Sequence, residues 1–587
     1  MNHKLIETVV VTLFAFIGSG CTQFAPYRTR TFIYDGTPEK RIVPDVAECY
    51  SGPPQDRRTM PALDKLRPCE DEEKADAAAY AVQHRHYQYK DYENDQDLSG
   101  KLRTADYHLS FVEFDDQGWF ADRKQMEALF ALLDRLETRE KKLRNRHVLI
   151  ILYAHGWKHN ASQCDNNVIC FSRLLERMDI LERHLQDEDT RRQVVGVYVG
   201  WRGLSVDAGP LSNITFWTRK SAAERVGRGG VTELLTRLND YRRIRNAERE
   251  GDKTQLVIAG HSFGGQVIYS ALSHALMERA NRTIRVAAPN CNDVRGSKTY
   301  SDGLTCYDTA TSFGDFVVLV NPAFEGSQYE PLFHIATNRC YRSDQRPVMM
   351  TVTSSGDLAT RMAFPLGRNV GTLLERAATS DQADSIVQAV GHNLRYETHK
   401  LKWIGGTSSD TDDSREREDK EQVCGCPYLV PTLEFNWRRF KNRIEPFLLP
   451  LGARAEENPL TSDRIEQQQT RLYDKEVYGP DVRLEGDVKY SANYPYLVVK
   501  TDPEIIPDHN TIYSEPFVRF LHSFFLVHIA FGRPFEADGC EKAKAIEACP
   551  NKALVPCEQS CVLPDGRSCS GRSTDGLGST AGRPNAY

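Results

Sequence analysis

Gly260-His261-Ser262-Phe263-Gly264 combines residue types at a spacing that can support covalent chemistry. A serine hydroxyl is a weak nucleophile until a base takes its proton, and attack on a carbonyl leaves charge on oxygen that N–H donors must meet. A G-x-S-x-G run meets both needs only on a sharp turn from strand to helix. In 587 residues roughly 0.2 such runs arise by composition alone, so the setting decides. Here Gln255-Leu256-Val257-Ile258-Ala259 reads as a strand directly before the motif, and Gly265 to Leu272 as a helix directly after it. Glycines on either side let neighbouring segments approach the serine, and the helix start directs unpaired N–H groups and partial positive charge at a developing oxyanion. The competing reading is a Gly-rich turn with an incidental serine.

An earlier apolar run ends in Ala154-His155-Gly156-Trp157. A His-Gly pair at a strand's C-terminal end resembles the oxyanion loop of lipases and esterases. That resemblance implies backbone donors at Trp157 and Phe263, with His155 packing and hydrogen-bonding the loop. Elbow and His-Gly loop together resemble the α/β-hydrolase superfamily over about 107–531. Gly200-Trp201-Arg202-Gly203, and Thr215-Phe216-Trp217 leading to Arg219-Lys220, resemble a bacterial subgroup of predicted hydrolases with no assigned substrate.

The superfamily's chain order is serine, acid, histidine. Val348 to Thr353 reads as a late strand, and Ser354-Ser355-Gly356-Asp357 as a tight loop after it, so Asp357 is the expected acid; its ordinary alternative is a turn or N-cap. Glu325, after the preceding strand, is the second choice. Ile505-Ile506-Pro507-Asp508-His509-Asn510 follows the last strand and precedes the final helix, which makes His509 the expected base. His522 and His528 fall in an apolar helix and read as packed. His392 and His399 compete only under a different order of elements. Asp357 and His509 are about 150 residues apart, so an insertion spanning about 402–493 is expected, as a lid or as a decoration tied by Cys424 and Cys426.

The elements that must hold these residues read as alternating strands and helices. Strands are expected at Tyr107 to Phe114, His147 to Tyr153, Val194 to Val199, Gln255 to Ala259, Phe316 to Val320, Val348 to Thr353 and Tyr496 to Thr501. Helices are expected at Asp122 to Leu136 (capped by Asp122), Ser172 to Leu185, Ala222 to Tyr241, Gln266 to Met277 and Pro516 to Phe531. Several strands are apolar runs without alternation, the signature of a parallel sheet covered on both faces. The expected fold is therefore α/β with a mostly parallel twisted sheet, and the resemblance carried by the elbow and the His-Gly loop implies the α/β-hydrolase arrangement of it. A short helix over Glu70 to His86 interrupts an otherwise weakly patterned N-terminal extension.

The first residues read as an export signal: Lys4, an apolar run from Val9 to Ile17, then Gly18-Ser19-Gly20-Cys21. Cys21 after Gly20 resembles a lipoprotein lipobox, although Gly18 stands where such sites usually carry Leu. Lipidation of Cys21 in the bacterial envelope is expected, with outer-membrane sorting because Thr22 follows; simple cleavage is the alternative. Of 15 cysteines, 14 then remain, an even number that suits disulfides, with Cys164–Cys170 and Cys291–Cys306 as short-range candidates. Zinc in the Cys540 to Cys569 cluster is disfavoured, since no CxxC pair recurs.

A net charge of −6 without a concentrated basic patch argues against nucleic-acid binding, and a mean hydropathy of −0.52 against a polytopic membrane protein. The expected organisation is a signal peptide over 1–20, an extension over 21–105, a hydrolase domain over 106–535 and a Cys-rich, then Gly/Ser-rich tail over 536–587. The expected chemistry is carboxylic ester hydrolysis through an acyl-Ser262 intermediate, on a small-molecule or lipid ester, with a lipid-anchored membrane association. No metal or organic cofactor is implied, because Ser262, His509, Asp357 and the elbow residues Gly260, His261 and Gly264 supply the chemistry. Alternatives are thioesterase, amidase or acyltransferase use of the same groups, a non-catalytic envelope scaffold, or a secreted effector acting on phospholipids.

Overall fold

The computed structural model describes residues 25–31, 79–92, 100–138, 147–163, 165–185, 191–203, 216–247, 254–282, 310–339, 345–372, 376–405, 426, 434–436, 476–477, 481–487 and 494–530. Residues 1–24, the tail and most of the insertion lie outside them, as do Cys21, Cys164, Cys291, Cys306, Cys424 and the cysteines from Cys540 to Cys569.

Among the described residues the strands are β1 (Val82–Tyr92), β2 (Lys101–Phe114), β3 (Val148–Ala154), β4 (Gln193–Trp201), β5 (Gln255–His261), β6 (Phe316–Val320), β7 (Met349–Ser354), β8 (His399–Trp403), β9 (Glu434–Asn436), β10 (Glu476–Val477), β11 (Val482–Gly486) and β12 (Tyr496–Thr501). They form a single sheet in the order β10-β11-β8-β12-β7-β6-β5-β3-β4-β2-β1-β9. Every neighbouring pair from β2 across to β8 is parallel. The β1–β2, β8–β11 and β10–β11 pairs are antiparallel.

The helices are α1 (Arg123–Thr138), α2 (Asn166–Leu185), α3 (Phe216–Val226), α4 (Thr232–Ala247), α5 (Phe263–Arg282), α6 (Gly326–Thr337), α7 (Phe364–Gly371), α8 (Ser380–Val387) and α9 (Glu515–Phe525). Asp122 caps α1 by accepting the Lys124 N–H at 3.0 Å. The wider turn at Gly227–Val231 joins α3 to α4, so the expected single helix is two.

Strand periodicity explains why both faces are covered. Val148, Ile150 and Leu152 of β3 join one apolar cluster with residues of α1, α3, α4, α5 and α6. Leu149, Ile151 and Tyr153 join the other, with residues of α2 and α9. The fold is thus the α/β class that the apolar runs imply, a mostly parallel sheet between two helical layers.

Three expectations change. Residues 82–86 belong to a strand, not to the tail of a helix: β1 pairs with β2 and joins the sheet from within the stretch read as an extension. Cys170 is bonded to Cys426, 256 residues away, rather than to Cys164. The described parts of the insertion add strands to both edges of the sheet, β10 and β11 beyond β8, and β9 against β1.

Candidate active site

Ser262 stands between β5 and α5 with φ of +55°, in the left-handed region that non-glycine residues rarely occupy. The elbow is held by its own backbone. Ser262 N–H donates to Val320 O of β6 at 3.0 Å, and Ser262 O accepts from Ala323 at 3.1 Å and Gln266 at 3.3 Å. Gly264 faces the backbone after β3, where a β-carbon would sit 2.0 Å from Ala154 O. That approach explains the glycine two positions beyond the serine. Gly260 meets a comparable limit against Gly264 O at 2.6 Å.

His509 and Asp357 converge on this serine from loops after β12 and β7. Ser262 Oγ is 2.8 Å from His509 Nε2, and His509 Nδ1 is 2.9 Å from Asp357 Oδ2. With Nδ1–H donating to the carboxylate, Nε2 is left as the acceptor for the serine O–H. Asp357 is fully buried. Burial alone would raise its carboxyl, but the His509 charge and hydrogen bond, together with two bonds from Thr360, bring it down to about 2. It therefore stays ionised wherever the imidazole works.

Glu325 is committed elsewhere. It is buried between Lys220 and Arg368, each at 2.9 Å, and also accepts from Gln328 at 2.8 Å. Lys220 belongs to the Arg219-Lys220 segment, whose Arg219 holds Asp116 and the Arg202 carbonyl. His522 and His528 are buried, and burial first, then nearby arginine charge, lowers each to about 3.

The loop after β3 lies directly over the nucleophile. A β-carbon on Gly156 would sit 2.9 Å from Ser262 Cβ. His155 secures this loop: its Nδ1–H donates to Gly156 O at 2.9 Å, its Nε2 accepts from Trp201 N–H at 3.1 Å, and its ring stacks on Trp201. Trp201 Nε1 in turn donates to His155 O at 2.9 Å. Burial lowers His155 to about 4, consistent with a neutral ring using both nitrogens. Lys158 N–H is engaged by Gly203 O at 3.3 Å. Phe263 is the first residue of α5, so its N–H has no carbonyl one turn earlier in the helix. Phe216 contacts both Trp157 and Phe263, with ring centroids 5.3 and 4.8 Å from it.

Several positioning residues carry no motif. Asn321, fully buried with φ of +44°, donates from Nδ2 to the carbonyls of Asp508 (3.2 Å) and His509 (3.0 Å), and accepts the Ser354 N–H at 2.9 Å. It ties the loop of His509 to the end of β7, just before Asp357. His261 Nε2–H also donates to His509 O, at 2.8 Å. Its Nδ1 is buried without a hydrogen-bond partner among the described residues.

Behind the acid the hydrogen bonds continue. Thr360 donates its N–H to Asp357 Oδ1 at 3.0 Å and its hydroxyl to Oδ2. His392 Nε2 lies 2.9 Å from Thr360 Oγ1, and His392 Nδ1 lies 2.7 Å from Lys500 Nζ. The directions are fixed by counting protons. The threonine hydroxyl is spent on Asp357, so His392 donates from Nε2 and accepts the Lys500 ammonium on Nδ1. His392, a rival base only under a different order of elements, lies behind Asp357. The sole advance signal was its presence in a polar segment between strands.

Chemically, the arrangement can deprotonate a serine hydroxyl, hold the resulting imidazolium against a buried carboxylate, and offer the Phe263 N–H next to the serine. No protein-family model matches the chain, and no curated protein matches it. Among solved structures it is similar to phospholipase PlaB from Legionella pneumophila in complex with thio-NAD, at 11% identity and a TM-score of 0.20 over 44% of this chain and 47% of that one. A second structure of that phospholipase stands at 10% identity and a TM-score of 0.18 over the same shares. The chain spans about half the length of the solved structures it matches.

Proposed function

We propose that this chain is a serine hydrolase that cleaves carboxylic esters through an acyl-Ser262 intermediate. The observation that carries the reading is the continuous bond chain from Ser262 Oγ through His509 to Asp357, at 2.8 and 2.9 Å. His509 Nε2 takes the hydroxyl proton as Oγ attacks the carbonyl carbon, then returns it to the departing alkoxide. Water repeats the sequence and releases the acid. Asp357 orients the imidazole and faces its charge without taking the proton. The N–H groups of Phe263 and Trp157 receive the oxyanion.

An apolar acyl group suits the surroundings. The aromatic wall of Trp157, Phe216 and Phe263 continues to Phe364 and Trp217. Leu358, Met362 and Leu366, spaced four residues apart from the position next to Asp357, are 60%, 65% and 71% exposed. Large apolar side chains left open at that spacing form a stripe that favours an apolar partner. The same chemistry would act on thioesters or amides, and a panel of substrates separates them. The sequence of residues 1–22 supports a location in the bacterial envelope, with a lipid on Cys21 as the proposed membrane anchor. Incorporation of labelled palmitate into the wild type, and its loss in Cys21→Ala, tests the anchor.

The decisive experiment for the chemistry is labelling with a fluorophosphonate probe. Wild type should label on Ser262 and hydrolyse acyl esters, whereas Ser262→Ala should do neither, with kcat lower by on the order of 10⁶-fold. Labelling of another serine, or undiminished turnover in the variant, would overturn the assignment.

A further inference from the structure

Alternation along β1 puts His84 and His86 on one face of the strand. The antiparallel register sets His86 opposite Asp106 and His84 opposite His108 on β2, so four side chains with metal-binding atoms share one patch. One ligand atom from each of His84, His86 and Asp106 lies within 4.8 Å of the other two. His84 Nε2 is hydrogen-bonded to Asp106 Oδ1, and His86 Nδ1 is 3.7 Å from the same oxygen.

His108 completes the patch from the buried side. Its ring stacks on His84 with centroids 4.4 Å apart and planes within 8°, which fixes the orientation of the His84 imidazole. His108 is 8% exposed, and its Nδ1 has no hydrogen-bond partner among the described residues. A buried imidazole nitrogen left unpaired is costly and calls for a reason. The three grouped residues are each about one-third exposed, which leaves the site open to an ion from solvent.

We propose that His84, His86 and Asp106 form a binding site for a divalent transition-metal ion, zinc foremost, that clamps β1 to β2. Two imidazoles and a carboxylate match the ligand preferences of zinc, with one position left for water or for His108 after rotation of its ring. Around a tetrahedral zinc with bonds of about 2.0–2.2 Å the ligand atoms stand roughly 3.4 Å apart, so the hydrogen-bonded His84–Asp106 pair opens to admit the ion while His86 Nδ1, 3.7 Å from Asp106 Oδ1, needs only a small side-chain adjustment. The patch lies on the sheet beyond β3 and β4 as seen from β5, so the ion has no part in the chemistry proposed at Ser262. Its effect would be structural: it would link two strands across an antiparallel pair near the edge of the sheet.

The full-length protein, stripped with a chelator, should take up one equivalent of Zn²⁺ in calorimetric titration and unfold at a higher temperature when loaded. Asp106→Asn and the double variant His84→Gln/His86→Gln should each weaken that uptake by on the order of 10- to 100-fold or more. Ser262→Ala should bind zinc as the wild type does. Co²⁺ provides the second readout: the spectrum expected is that of nitrogen and oxygen ligands. Absence of saturable zinc uptake, equal uptake by the ligand variants, or thiolate-to-cobalt absorption would overturn the site, the last by assigning the metal to cysteines. Circular dichroism establishes that the variants fold; should the double variant fail, Asp106→Asn and the cobalt spectrum decide.

Discussion

Gly156 lies against Ser262 so closely that a single methyl group on its α-carbon would stand 2.9 Å from the serine β-carbon and 3.0 Å from His261 Nδ1. The loop that carries one proposed oxyanion donor and the nucleophile it serves are thus set by a contact that only a hydrogen allows. Gly156→Ala should displace the loop or the serine. The expected loss in kcat for an ester substrate is about 10²-fold, as for a displacement of about 1 Å. Thermal stability should change far less than activity. Unchanged kcat in a folded variant would remove the Gly156–Ser262 contact from the catalytic geometry.

Asp357→Asn should keep the fold and lower kcat by about 10⁴-fold, because an amide cannot hold the same imidazole tautomer or balance its charge. Glu325→Gln should act on stability instead, since it leaves Lys220 and Arg368 without their buried anion. Steady-state kinetics on both variants, with denaturation curves alongside, separates the two carboxylates. A larger kinetic defect in the Glu325 variant would reverse the assignment.

Lys500 should matter through charge carried by Thr360 and His392. Burial lowers its ammonium to about 8, against the raising influence of Glu397 and Asp357; Arg361 lowers it further. Activity should therefore decline as pH rises through about 8 and the ammonium is lost. Lys500→Arg should abolish that decline by keeping the charge. Lys500→Met should reduce kcat at all pH values by roughly three- to tenfold, the worth of one hydrogen bond, with KM little changed. An alkaline limb that survives in the arginine variant would show that another group titrates there.

Acid should destabilise the fold before it neutralises Asp357. Burial is the first cause of low values at His155 and His399 (about 4) and at His392, His522 and His528 (about 3). In each case the folded value lies below that of the unfolded chain, near 6.5, so below that pH the unfolded state binds protons the folded state refuses. Stability is complete above about 6.5 and falls as pH drops toward 3 to 4, by up to about 1.4 kcal/mol per group for each pH unit. Urea midpoints at about pH 7.5 and about pH 5 should differ markedly. The difference should shrink in His522→Gln/His528→Gln. Equal midpoints at both pH values would refute it.

Ser262, Asp357 and His509 were legible in the sequence because each sits at a strand's C-terminal end, where local pattern and chain order identify it. β6 and β12 match at both ends, β6 because it is an unbroken apolar run and β12 because Pro495 and Asp502-Pro503 bound it. β1 was missed for a physical reason: its outward face is His84, His86, Gln88 and Lys90, and the alanines at 75, 77–79 and 81 before it favour a helix. Asn321, Thr360, His392 and Lys500 act through partners from 3 to 188 residues away, mostly in other elements. No short-range spacing encodes such contacts. Cys170 has a close sequence neighbour in Cys164, and only the folded chain brings Cys426, 256 residues on, to 5.0 Å from it between α-carbons.

The Cys170–Cys426 bond also divides the site topologically. It closes a covalent ring that contains Ser262 and Asp357 and leaves His509 on the free chain beyond it. A protease cutting once between the nucleophile and the acid would open the ring without separating its halves, and both would migrate together until a reductant was added. A cut between Cys426 and His509 would detach His509 in a fragment that, among the described residues, only non-covalent packing retains. Resistance to inactivation by nicking should therefore differ on the two sides of Cys426.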